Sequence, residues 1–236
     1  MPKSEIAGRL AHIHERIARA CARAGRSPAE ITLIAVSKTV APDRIQAALE
    51  AGVTALGENR VQEAAAKIPA LQEVTEKHQV AWHLIGHLQS NKARRAVELF
   101  DVVQSVDSLE LGHRLDRMAA EMNKRLPVFV QVNVGSEAAK SGLAVAETLP
   151  VCEQLGALPH LELKGLMTVP PLFDQPEEVR PFFRQLRRLR DEVQRANLFG
   201  EPFCDLSMGM SHDFEVAIEE GATLVRIGTA IFGSRL

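Results

Sequence analysis

The chain has 236 residues, with 28 basic and 30 acidic side chains and a formal charge of −2. That balance gives no overall basic footprint for nucleic acid, and no apolar run approaches the roughly 18 residues a membrane span requires. With 46% apolar and 25% charged residues the composition suits a globular protein with a real core, and tyrosine is absent altogether, which excludes chemistry that needs a phenol.

The N-terminal sequence MPKSEIAGRL is studded with charge and lacks the apolar stretch of a secretory signal. Cys21, Cys152 and Cys204 are far apart and in no metal-ligand spacing, as expected of reduced thiols in a cytoplasmic protein. Ile6, Leu10, Ile13, Ile17, Cys21 and Ala24 recur at steps of three and four, with charged residues such as Arg9, Glu15, Arg16 and Arg23 between them. The spacing predicts an amphipathic helix over 1–25, ended by Gly25 and followed by the capping sequence Ser27-Pro28-Ala29-Glu30. His12 and His14, two apart on that helix, point to different faces and share no metal ion.

After residue 30, short aliphatic or β-branched runs alternate with longer helical patterns. The strands are expected at 31–37, 54–57, 81–86, 102–106, 127–134, 161–169, 203–209 and 223–228, with helices between them, for example at 42–51, 108–124 and 177–196. Alternating strand and helix predicts a parallel sheet with helices outside it. Eight units in this length favour a closed (β/α)8 TIM barrel with an extra N-terminal helix. The alternative is a doubly wound sheet of six strands, in which short runs such as 54–57 are not strands. The eighth strand lies so near the end that the closing helix must be short, or the N-terminal helix must cover the gap. No Pro/Gly-rich linker divides the chain, and TVPPLFDQP (168–176) reads as one long loop, so residues 1–236 are expected to form a single domain.

In such a barrel the functional groups gather where strands run into loops. Lys38 follows an aliphatic run at the end of the first strand. Held against apolar wall, its ammonium form is disfavoured, which leaves an amine fit for Schiff-base chemistry; the plainer role is a lysine with its stem packed and its head in solvent. Ser207, Gly209 and Ser211 after strand seven, with Gly228 and Thr229 after strand eight, offer hydroxyls and backbone N–H groups where barrels commonly bind phosphate, Thr229-Ala230-Ile231-Phe232 being a candidate for the short extra helix there. The same residues are also ordinary turn chemistry. Arg226 near the barrel axis needs a partner: either Glu58 or Asp205, or a ligand's ring nitrogen. His83 and His87 lie outside any HExxH helix, there is no GxSxG elbow, and no metal site or serine or cysteine nucleophile is expected.

Taken in order, LIAVSKTV (33–40), GENRVQEAAAK (57–67), WHLIGHLQSNKAR (82–94), SVDS (105–108), QVNVGSEAAKSG (131–142), LKGLMTVPP (163–171), LSMGMSHDFEVAI (206–218) and VRIGTAIFG (225–233) resemble the pyridoxal phosphate homeostasis proteins, the alanine-racemase-like family. The resemblance implies a single barrel of PLP fold type III that binds pyridoxal 5′-phosphate (PLP) at its C-terminal face. It implies Lys38 as the lysine joined to the cofactor as an aldimine, and Ser207, Ser211, Gly228 and Thr229 as the phosphate cradle. Arg226 would partner the pyridine nitrogen, Met167 pack on the ring and Asn59 be its polar neighbour. Leu56 and Arg60 depart from the family pattern, which has an aromatic residue before the GEN motif and often tyrosine after it.

An arginine at the pyridine nitrogen disfavours its protonation and weakens the ring as an electron sink. Two-base racemisation pairs lysine with tyrosine, and this chain has no tyrosine. The expectation is therefore a cytoplasmic, monomeric carrier that maintains vitamin B6 pools, with PLP-dependent apo-enzymes as partners and no nucleic acid or membrane. The alternatives are a weak PLP-dependent racemase using Lys38 and His83, and a cofactor-free barrel lyase that joins Lys38 to a sugar phosphate. If Lys38 is not the attachment point, Lys140 is the next lysine to consider.

Overall fold

The aliphatic and β-branched runs form eight parallel strands: β1 (Thr32–Val36), β2 (Ala55–Glu58), β3 (Ala81–Leu84), β4 (Val102–Val106), β5 (Leu126–Gln131), β6 (Leu161–Met167), β7 (Asp205–Met210) and β8 (Leu224–Ile227). They follow one another in chain order around a closed barrel, sealed where Thr32 to Ala35 of β1 pair with Leu224 to Ile227 of β8. The computed structural model describes residues 3–135, 137, 141–196 and 203–233; Lys140 lies outside them. The six-stranded alternative falls, because Leu56 and Gly57 of β2 pair with strands on both sides.

Helices α1 (Lys3–Ala24), α2 (Pro42–Glu50), α3 (Val61–Lys77), α4 (Ala93–Leu99), α5 (Leu109–Glu121), α6 (Val145–Gly156), α7 (Arg180–Arg195), α8 (Phe214–Glu219) and α9 (Thr229–Phe232) surround the barrel. None of the described helices is long and apolar enough to cross a membrane. Both ways of closing the ring are used. α9 is a single turn, and α1 packs across α2, α8 and α9. The stripe Ile6, Leu10, Ile13, Ile17, Ala20 and Cys21 is buried there, each large aliphatic side chain contributing about 1.5–3 kcal/mol. Gly25 ends α1 at a φ of +65°, and Ser27 and Glu30 cap each other over the short turn that leads into β1.

Strand alternation divides the interior into two environments. Outward residues such as Ala35, Leu56, Leu84 and Val103 join the layer beneath the helices. Inside the barrel, Ile34, Ala55, Phe129, Met167 and Leu224 form a second apolar cluster. Above it sits a polar layer of His83, Gln104, Ser207 and Arg226, all buried.

β7 differs from its expected span of 203–209 in a way that matters for the site. It begins at Asp205 and runs through Met210, and Ser207 and Gly209, which lie inside the expected span although their composition groups them with the loop after it, belong to the barrel wall. Gly209 has a φ of +93°, and a Cβ there would lie 2.6 Å from the Ala217 Cβ on α8. Its glycine is thus required by backbone conformation and by the close packing of α8. Cys204, expected within the strand, lies just before it and is exposed.

Candidate functional site

The C-terminal ends of the strands open into a cavity of about 1050 Å³. Strand pleating decides which side chains reach it. In β1, Ile34 and Val36 face inward, and the alternation carries on through outward Ser37 to inward Lys38. In β2 the outward residue is Glu58 and the next, Asn59, lines the cavity. Gly86, after β3, lies so close to Asn59 that a Cβ there would stand 2.3 Å from the Asn59 carbonyl oxygen. Ser211, Gly228 and Thr229 arrive from the ends of β7 and β8, and Arg226 from within β8.

Six of the eight residues expected at a cofactor therefore meet on one cavity: Lys38, Asn59, Ser211, Arg226, Gly228 and Thr229. Met167 and Ser207 do not line it. Met167 is fully buried in the inner apolar cluster, and Ser207 lies in the polar layer. Residues that sequence reasoning missed also face the cavity, among them Arg9 of α1, Arg44 of α2, Ile85, Leu172 and His212. Ile85 had a signal, since it follows β3 as Asn59 follows β2. Arg9 had none, because its place depends on α1 folding back over the end of the barrel.

The polar layer has a fixed sense. One Arg226 N–H donates to Ser207 Oγ at 2.7 Å and another to the Thr168 carbonyl at 2.7 Å. A guanidinium only donates, so the Ser207 hydroxyl proton goes to Gln104 Oε1, 2.6 Å away. Gln104 then donates from Nε2 to His83 Nδ1 at 2.8 Å, which leaves the imidazole neutral with its proton on Nε2. Burial reinforces this by pulling the His83 pKa down to about 4.

Neither acid proposed as the partner of Arg226 fills that role. Glu58 points outward to Lys67, and Asp205 accepts from Thr223 Oγ1. The pleat turns Glu58 away from the inward face that Arg226 occupies, whereas Asp205 shares the face of Ser207 but sits at the start of β7, a layer lower, where Thr223 takes it. Among the described residues no carboxylate lies within ion-pair distance of Arg226, and burial brings its pKa down to about 10, against a smaller opposing pull from Asp213. It stays cationic at neutral pH, with neutral oxygens as its hydrogen-bond partners. Asp213, buried itself and accepting from Met210 N at 2.6 Å, is pushed up by desolvation.

The loop end of the cavity is polar and loosely satisfied. Ser211 Oγ accepts from the N–H groups of Gly228 and Ala230 at 3.3 and 3.4 Å, the long end of hydrogen bonding. Asn59 Oδ1 is buried without a hydrogen-bond partner. A lysine, an uncompensated guanidinium, an unpartnered amide oxygen and slack N–H groups together suit a ligand with an electrophilic carbon and an anionic group.

The alanine racemase N-terminal domain family model matches residues 9–236. The pyridoxal phosphate homeostasis protein of Aquifex aeolicus is 44% identical over 227 residues, covering 96% of this chain and 97% of its own. That of Escherichia coli (strain K12) is 43% identical over 234 residues, covering 98% and 97%. Among solved structures, PipY of Synechococcus elongatus PCC7942 with PLP bound is similar at a TM-score of 0.83 and 39% identity, over 97% of this chain and 100% of that one.

Proposed function

Since the chain belongs to the pyridoxal phosphate homeostasis proteins and to the alanine racemase N-terminal domain family, we propose that it binds PLP in this cavity and serves to hold the cofactor and hand it over. The observation that carries the reading is the convergence of Lys38, Arg226 and the Ser211 and Gly228-Thr229 loops on one cavity at the C-terminal face. When bound, PLP supplies an aldehyde that condenses with an amine and a phosphate that takes hydrogen bonds from N–H and hydroxyl groups.

Lys38 is the amine in this reading. The N–H groups that now make long bonds to Ser211, with the Ser211 and Thr229 hydroxyls, turn to the phosphate. The guanidinium of Arg226 faces the ring nitrogen and keeps it unprotonated, and Asn59 meets the polar edge of the ring. Ser207 acts one step back, by holding Arg226, and Met167 supports the site from the apolar cluster beneath.

The same residues favour a carrier over a catalyst. Positive charge at the ring nitrogen weakens the electron sink. His83, the second base of a racemase alternative, is held by Gln104 in the polar layer and does not line the cavity. The sequence has no tyrosine to replace it. A cytoplasmic monomer that passes PLP to apo-enzymes is the setting we propose, on the three free cysteines and on relatives named for pyridoxal phosphate homeostasis. The test is the absorbance spectrum with PLP before and after borohydride, with the modified peptide mapped, beside deuterium exchange at the Cα of added alanine. Fixation on Lys38 without exchange is expected; exchange at enzyme-like rates would overturn the carrier reading.

A further inference from the structure

Behind the wall that presents Lys38 and Asn59 lies a buried ionic cluster that the binding reading leaves unused. Lys67 of α3 donates to the Ser37 carbonyl at 2.6 Å, to Glu58 Oε1 at 2.9 Å and to Glu63 Oε1 at 2.7 Å. Its side chain is 11% exposed and that of Glu58 not at all. Ser37 Oγ also donates to Glu58 Oε1, at 2.7 Å, and the Thr39 N–H donates to Glu63 Oε1.

The topology of these contacts is specific. Ser37 and Thr39 are the two peptide neighbours of Lys38, and the cluster holds both. Glu58 is the residue before Asn59. Pleating turns Ser37 and Glu58 outward to Lys67 while Lys38 and Asn59 turn inward to the cavity, so one ammonium ties the two cavity-facing positions from behind. Thr39 has a φ of +61°, a left-handed conformation that a β-branched residue keeps only when something holds it, and the Glu63 contact does so. The arrangement is a costly way to attach a helix to a barrel. Apolar side chains of similar volume would pack as well without desolvating the Lys67 and Glu58 charges, and Glu58 Oε2 remains buried without a partner. What apolar packing could not do is grip a backbone carbonyl and N–H on either side of Lys38.

We infer that Lys67 is a positioning residue for cofactor attachment, fixing through Ser37, Glu58 and Glu63 the backbone from which Lys38 and Asn59 reach the cavity. The inference rests on the reading of Lys38 as the PLP lysine. It separates two quantities. Covalent attachment needs the Lys38 amine correctly placed, whereas pyridoxine 5′-phosphate, which has the ring and phosphate but no aldehyde, needs only the loops and ring contacts.

The experiment compares wild type with the double variant Lys67→Met/Glu58→Gln, which removes the buried charges at nearly constant volume. Attachment of PLP to Lys38, read as the borohydride-fixed fraction across a PLP titration, should weaken about 10-fold or more. Affinity for pyridoxine 5′-phosphate should fall less, by about threefold at most, because only its contact with Asn59 is disturbed and no loop contact is touched. Unchanged attachment would overturn the inference, and so would equal losses for both ligands, which mark a general loosening of the site. If the double variant does not fold, Glu63→Ala cuts both the Lys67 and the Thr39 contacts at a partly exposed side chain. It should reduce attachment about threefold with pyridoxine 5′-phosphate unaffected, and wild-type attachment there overturns the inference. A wild-type protein with no fixed adduct on Lys38 would instead sink the reading beneath it, and is seen before any variant is made.

Discussion

Arg226 of β8 donates to Ser207 of the neighbouring strand β7 at 2.7 Å, within a buried layer, and Ser207 does not line the cavity. Ser207 is therefore a support for a charge. Ser207→Ala leaves a buried guanidinium one acceptor short and Gln104 one donor short, at a cost of about 1.5–3 kcal/mol in unfolding free energy. Binding of PLP and of pyridoxal should fall together. Thr229→Ala should behave differently, weakening PLP by about 1–3 kcal/mol while sparing pyridoxal and the melting temperature, because in the proposed reading its exposed hydroxyl meets only the phosphate. Titrations with both ligands beside thermal melts check the pair; equal ligand losses for Thr229→Ala would contradict the cradle.

Lys38→Ala should abolish covalent fixation of PLP and leave the fold intact, since the side chain is half-exposed at the cavity and not part of the core. Weaker, non-covalent PLP binding should persist through the loops. Mass spectrometry after borohydride treatment decides the matter. A retained adduct would identify another lysine, with Lys140 the first to map.

Acid should find a weak point at His83. Its folded pKa of about 4 lies below the ordinary value of 6.5, so between those limits the unfolded chain binds a proton that the folded chain refuses. Stability from this group is complete above about pH 6.5 and is lost as pH falls towards 4, by about 3 kcal/mol over the window. His83→Asn should be less stable at pH 7 but flatter between pH 6.5 and 4.5. Denaturant titrations across that range test this, and parallel slopes for the two proteins would refute it.

Arg226→Glu should cost about 3–5 kcal/mol, because it sets a carboxylate against the Thr168 carbonyl and near Asp213, with no cation to meet it. Arg226→Gln keeps a donor and an acceptor in the layer and should cost less than half as much. If Arg226→Glu melted like wild type, Arg226 would have to be free of the buried layer.

The barrel was legible because most strands are aliphatic or β-branched runs and the longer helices are periodic, although β2 is a run of only four residues and β7 has a turn-like sequence. Six cavity residues were legible because they sit at strand ends, where barrels place chemistry. Ser207 and Gly209 lie within the expected strand 203–209, but SMGMS has the composition of a turn, which groups them with the loop after it; the strand's register, set by pairing with β6 and β8, keeps them in the wall. Lys67 had no signal at all. In VQEAAAK it reads as a surface lysine four residues from a glutamate, and its burial follows from the side of β1 and β2 on which α3 comes to lie.

The way α1 closes the ring also has a consequence in time. Its apolar stripe is synthesised before α8 and α9, against which much of it packs. At ribosomal rates of 5–20 residues per second, Ile6, Leu10, Ile13 and Ile17 wait roughly 10–40 s for those partners. Sealing β1 against β8 is equally late. A nascent chain thus carries an amphipathic helix that only α2 can cover until α8 and α9 are made, and holdase chaperones have a defined segment to shield until β8 emerges.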